Sequence, residues 1–177
     1  MKKRPVSKDV WVGAALERYE RPLLHYAARL TGNADLARDV VQDTFLRLCA
    51  ADPGEVDAHL APWLYTVCRN RALDVRKKEG RMTTLQQAQA EAYPNGGLGP
   101  SALAARNETH TMVLAVLDTL PHKHQEAFRL KFYDGLTYRE IGRVMDVSLG
   151  TVNNLVTAAL MAIRERLRSK MDLAQEV

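Results

Sequence analysis

Residues 136–167, LTYREIGRVMDVSLGTVNNLVTAALMAIRERL, constrain the fold more than any other stretch of the chain. Ile141, Val144 and Met145 recur at the spacing of one buried helix face, and Asp146-Val147-Ser148 then breaks that pattern. Thr137 stands where it can cap the first helix, with Glu140 three residues on to close a capping box. Ser148 can cap a second, longer helix running through Val152, Leu155, Leu160 and Ile163. Helix, tight turn, helix is the arrangement whose second helix fits a DNA major groove. Duplex DNA is therefore the first partner that the residues imply.

The 177 residues suffice for one medium domain or two small ones. With 26% charged and 46% hydrophobic residues, the composition is that of a globular chain in water. The formal charge of +4 is a mild excess, so where the charges fall matters more than their sum. Cys49 and Cys68 both sit inside apolar helical patterns and outside any CxxC, and are expected as buried thiols in a reducing cytosol. No apolar run approaches the roughly 20 residues that span a bilayer. No apolar signal core follows the basic MKKRPVSK, so neither membrane insertion nor export is expected.

The pattern outside 136–167 is also helical. From Val10 to Arg81, Leu16, Tyr19, Leu23, Leu24, Tyr26, Ala27 and Leu30 predict one helix, closed by Thr31-Gly32-Asn33. A second carries Leu36, Val40, Val41, Phe45, Leu46 and Leu48, and ends at Asp52-Pro53-Gly54. Pro62 is read as opening a third, PWLYTVCRNRALDVRKK. From Glu79 to about Ala105 the chain turns rich in Gln, Ala, Gly and Pro. It reads as a flexible linker with a short helix near Leu85–Ala92, or as an ordered loop of one larger domain. Beyond it, Met112, Val113, Val116 and Leu117 form an apolar face. Pro121 starts a further helix with Ala127, Phe128, Leu130 and Phe132 in its apolar set. The expected fold is all-α: a domain over 10–81, a linker over 82–105 and a second helical domain over 106–171.

Signals for chemistry are weak. His122-Lys123-His124 diverge on a helix with no acid or cysteine cluster near them, so no metal is expected. The glycines at 96, 97 and 99 lack the Lys-Ser or Lys-Thr of a phosphate-binding loop. No catalytic residue and no cofactor are assigned. A local basic cluster does stand out: Arg69, Arg71, Arg76, Lys77, Lys78 and Arg81 outnumber Asp74 and Glu79, a pattern suited to phosphates.

Four stretches in order, DLARDVVQDTFLRL at 35–48, PWLYTVCRNRALDVRKK at 62–78, LDTLPHKHQEAFRLKFYDGLTYREIGRVMDV at 117–147 and GTVNN at 150–154, give the chain its resemblance to a known family. It resembles the bacterial RNA polymerase sigma factors of the sigma-70 family, in their small extracytoplasmic-function (ECF) class. The resemblance implies a region 2 domain, a linker and a region 4 domain, without catalysis. It implies core RNA polymerase as partner, through the β′ coiled coil and the β flap, with promoter DNA and an anti-sigma factor besides. Residues carried over are Asp39, Gln42 and Asp43 for the β′ coiled coil. For reading and melting the −10 element they are Arg69, Asn70, Arg71, Arg76, Lys77 and Lys78, with the loop Asp52–Ala61 as floor of a base pocket. For the −35 element they are Arg139, Thr151, Asn153, Asn154 and Thr157. Asn can pair bidentately with adenine, and Thr can meet a thymine methyl or a phosphate. Trp63 is expected in the core, while Tyr65 is open to a stacking role.

Two departures stand out. Arg38 stands where the family usually has an acid. Leu155, Ala158, Leu160 and Met161 stand where it commonly has basic residues, which return only at Arg164, Arg166, Arg168 and Lys170. That apolar stripe is compatible with a weaker −35 contact or with a protein partner. Two alternatives to an initiation factor stay open at the level of sequence. One is a sigma-like mimic that sequesters an anti-sigma factor; the other is a plain helix-turn-helix repressor.

Overall fold

The computed structural model describes the backbone of residues 7–82 and 103–175, and within these the side chains of 7–79 and 110–169. Nearly all of the 82–105 linker, with the helix expected near Leu85–Ala92, lies outside the described residues. Every regular element among the described residues is helical, as the apolar spacing predicts. The chain divides into two compact units, Met1–Tyr93 and Pro94–Val177.

In the first unit α1 (Lys8–Thr31), α2 (Ala34–Ala50) and α4 (Leu60–Met82) pack pairwise. Each boundary has a local cause. Ser7 caps α1, and Gly32 ends it at φ 70°, donating its N–H to the Ala28 carbonyl at 2.8 Å. Glycine takes that left-handed turn without a Cβ penalty. The Asn33 side chain accepts from the Asp35 and Leu36 amides at 2.8 and 3.1 Å and starts α2. Leu23, Val40, Leu48, Leu64 and Cys68 are fully buried where the three helices meet. Each aliphatic side chain so buried contributes about 1.5–3 kcal/mol.

Between α2 and α4 the chain is helical rather than a loop. Asp52 caps α3 (Pro53–Val56), donated to by the Gly54 amide at 2.9 Å, and a 3-10 turn over Asp57–His59 leads directly into α4. Pro62 therefore does not start the helix: α4 is already under way at Leu60, because the 3-10 turn supplies its first turn.

Several expected core positions are corrected. Cys49 is exposed, and only Cys68 is buried. Leu16 and Leu46 face solvent, because each sits outside the arc of α1 or α2 that the partner helices cover. Tyr65 is buried, its ring edge-on to Tyr26 at 5.2 Å, and is closed to base stacking. Trp63 is half-buried.

In the second unit α5 (Leu103–Thr119), α6 (His122–Phe132) and α7 (Tyr138–Met145) all pack on α8 (Leu149–Gln175). Leu117, Phe128, Ala159 and Ile163 form a core joined by Val113, Val116, Leu120 and Leu167. Arg129 is buried on α6 and donates to Asp118 of α5 at 3.0 Å. Two readings change here. Phe132 is exposed rather than core, and Leu155 is buried rather than part of a surface stripe. No single helix among the described residues is long and apolar enough to cross a membrane.

Candidate nucleic-acid and protein interfaces

The helix-turn-helix is built as its residues dictate. Both halves of the Thr137–Glu140 capping box are formed: the Thr137 amide donates to Glu140 Oε2 at 2.7 Å and the Glu140 amide to Thr137 Oγ1 at 3.3 Å. Asp146 ends α7 in the left-handed region at φ 54°. Ser148 caps α8, accepting from the Thr151 amide at 3.1 Å. The two helices meet at 104°, within the range of DNA-reading pairs. Gly142 makes the tight turn possible. A Cβ there would lie 2.9 Å from the Val147 carbonyl oxygen, whose own amide bonds back to Gly142 O. Ile141, Val144, Met145, Val152 and Val156 lock the pair from beneath.

That packing leaves one face of α8 outward. Thr151, Asn153, Asn154 and Thr157 are all exposed, as is Arg139 on α7 beside an open cleft lined by Tyr138, Arg143 and Leu149. Ala158, Leu160 and Met161 continue the exposed face. Arg164 is the next cation on it. At 1.5 Å of rise per residue it lies about 15 Å beyond Asn154. The residues expected at the −35 element are thus all left on the exposed surface, with an apolar gap immediately following them on α8.

The residues expected on α2 and α4 behave differently. Asp39 and Gln42 are exposed, one turn apart. Asp35, Asp39, Gln42, Leu46 and Cys49 are all exposed at a 4-3-4-3 spacing, the seam that one helix presents to another in a coiled coil. Leu46, 59% exposed, is the member of this seam that apolar periodicity hid, since it reads as core by type. Its heptad spacing to Asp39 and Gln42 was the usable signal. Arg38 is answered within its own helix by Asp35, with which it forms an exposed ion pair. Such a pair contributes little to stability, but it mutes the charge reversal.

On α4 the six expected DNA-facing residues do not share a face. At about 100° per residue they fall in three lines, Asn70 with Lys77 pointing outward, Arg69 with Arg76 on one flank, and Arg71 with Lys78 on the other. Asn70, Arg76, Lys77 and Lys78 are exposed, while Arg69 and Arg71 are half-buried. Arg71 Nε donates to Asp43 Oδ2 on α2 at 2.6 Å. Two residues expected on separate interfaces are therefore bonded to each other. The segment expected to floor a base pocket is held from α1, where Trp11 Nε1 donates to Asp57 Oδ1 at 2.9 Å. Nothing local in the sequence signals that contact, which spans 46 positions.

The buried Cys68 thiol is pushed up to about 12 by desolvation, against a smaller opposing contribution from its Thr44 hydrogen bond. It stays protonated and inert at neutral pH. Among the described residues no group of three or more His, Cys, Asp and Glu side chains could hold a metal ion.

Comparison with known proteins places these surfaces in a family context. Residues 15–82 match Sigma-70 region 2, and residues 116–165 match Sigma-70, region 4. The ECF RNA polymerase sigma-E factor of Escherichia coli (strain K12) is 28% identical over 160 residues, covering 85% of this chain and 83% of that protein. That of Salmonella typhimurium (strain LT2) matches to the same extent. The ECF RNA polymerase sigma factor SigE of Mycolicibacterium smegmatis is 30% identical over 144 residues, 80% of this chain and 55% of that protein. In fold, the chain is similar to the sigma factor RpoE from Bartonella quintana, solved in complex with the anti-sigma factor NepR. The TM-score is 0.67 at 23% identity, over 88% of this chain and 96% of that one.

Proposed function

The chain belongs to the sigma-70 family, in its extracytoplasmic-function class, and on that premise we propose how its residues divide the work of promoter recognition. It is a transcription initiation factor that binds core RNA polymerase and directs it to promoter DNA. It is not an enzyme, since RNA synthesis belongs to the polymerase.

The observation that carries the division of labour is the pair of outward faces left by core packing. One is the 4-3-4-3 seam of α2 and the other is the Thr151–Thr157 face of α8. We assign Asp39, Gln42 and the newly added Leu46 to the β′ coiled coil, a helical partner matched by helical spacing. Arg139, Thr151, Asn153, Asn154 and Thr157 read the −35 element, with Arg139 on backbone phosphate. Asn70, Arg76, Lys77 and Lys78, flanked by Arg69, track the −10 strand beside the base-pocket segment 52–61. The division into a 10–81 polymerase and −10 domain, an 82–105 linker and a 106–171 −35 domain rests on the same residues. In this reading the second domain also meets the β flap. The protein works in the cytoplasm beside its polymerase, and an anti-sigma factor restrains it.

Exposed Cys49 gives a direct test of the seam. Alkylation of the free protein is expected at Cys49 and not at Cys68, and core polymerase is expected to protect Cys49. Protection lost on Asp39→Ala/Gln42→Ala supports the assignment. Equal labelling with and without polymerase, under conditions where the two bind, removes α2 from the interface.

A further inference from the structure

Asp43 and Arg71 each neighbour a residue assigned above to a different macromolecule, Gln42 on the polymerase seam and Asn70 on the −10 face. Their side chains turn inward to meet between the two surfaces. The Nε–Oδ2 distance of 2.6 Å is that of a direct charge-assisted contact, just under the usual range of about 2.7–2.9 Å. Only 34% of the arginine side chain and 39% of the aspartate remain exposed. Beyond this pair and the hydrogen bond of Cys68 with Thr44, α2 and α4 bury small and aliphatic groups such as Val41, Leu48, Leu64 and Ala72, which resist separation but set rotation weakly. A hydrogen bond donated from Arg71 Nε to the Asp43 carboxylate is directional and restrains the rotation of one helix against the other.

We propose that the Asp43–Arg71 pair is a positioning device that sets the −10-reading face of α4 against the polymerase-docking face of α2, with Arg71 acting through Asp43 rather than on DNA phosphate. The proposal rests on the assignment of those two faces. It makes promoter opening depend on Asp43 although that carboxylate repels DNA, and it removes Arg71 from the count of phosphate contacts.

The test uses full-length protein reconstituted with core polymerase, comparing wild type, Asp43→Asn, Arg71→Gln and the double variant. Opening of a promoter mapped with the wild-type protein is followed by 2-aminopurine fluorescence in the −10 element, and promoter binding is measured against salt. Circular dichroism and core titration show that each variant is folded and bound. Each single variant is expected to lower opening by about tenfold, and the double variant by no more, since the two residues act as one unit. The salt slope is expected to match that of wild type, because no released counterion is lost. Equal shifts in core affinity for both single variants are expected as well.

Three outcomes overturn the proposal. The first is a salt slope shallower by about 0.9 for Arg71→Gln, the mark of a lost phosphate contact. The second is loss of core affinity confined to Asp43→Asn, and the third is opening defects that multiply in the double variant. A wild-type protein that yields no promoter at all would instead defeat the underlying assignment, and shows as absence of new transcripts before any variant is made.

Discussion

Gly142 is the residue on which the helix-turn-helix most depends. Backbone oxygen cannot yield as a side chain does, so the 2.9 Å approach to Val147 O forces the α7–α8 angle to change if a methyl group is added. Gly142→Ala is expected to destabilise the second unit by about 1–3 kcal/mol. Differential scanning calorimetry of the full chain should show a lowered transition for that unit, and an unchanged trace would refute the role given to the turn. In the first unit His25 is disfavoured as a cation by burial first and by Arg29 and Arg21 second, so its folded value lies below the usual 6.5. The unfolded chain then binds the extra proton more readily than the folded one. Stability is therefore whole above about 6.5 and falls as pH drops below it. His25→Gln should flatten that slope in urea melts between pH 7 and 5, and an identical slope in the variant would contradict the account.

Elements were easier to read than their faces. Capping residues at Thr137 and Ser148, and the breaks at Gly32 and Asp146, are local signals, and each occurs at a helix terminus. Facing depends on what the rest of the chain covers, which one helix cannot show. Leu46 and Leu155 are both leucines at helical spacing, yet one is open and the other buried. Likewise Arg71 reads as one more cation in a basic run until α2 brings Asp43 beside it. The surface of α8 gives the sharpest element-scale prediction. Met161, 66% exposed, lies one and two turns past Thr157 and Asn154 on their face. Met161→Arg should tighten promoter binding by the holoenzyme and steepen its salt slope by about 0.9. No change in slope would mean that duplex DNA does not run along this part of α8.

At the scale of the molecule, recognition is split between two units that each offer a small surface. The all-α class and the DNA-reading pair were legible because helix caps, apolar period and turn breaks agree with one another over both halves. The joint between Trp11 and Asp57 was not legible, since contacts between distant positions leave no periodic mark. A short reading face with an apolar gap after Thr157 supports only a few phosphate contacts, so the isolated protein should bind promoter duplex weakly and at high salt hardly at all. Titration of labelled promoter with and without core polymerase checks this, and tight sequence-specific binding by the protein alone would contradict it. The most direct measurement is transcription of total genomic DNA by core polymerase with the purified protein added, followed by mapping of the 5′ ends. Discrete new starts that share a −35 and a −10 sequence are expected, with the −35 preference altered by Asn153→Ala/Asn154→Ala. Core polymerase bound to the protein yet giving the same starts as core alone would contradict the central claim.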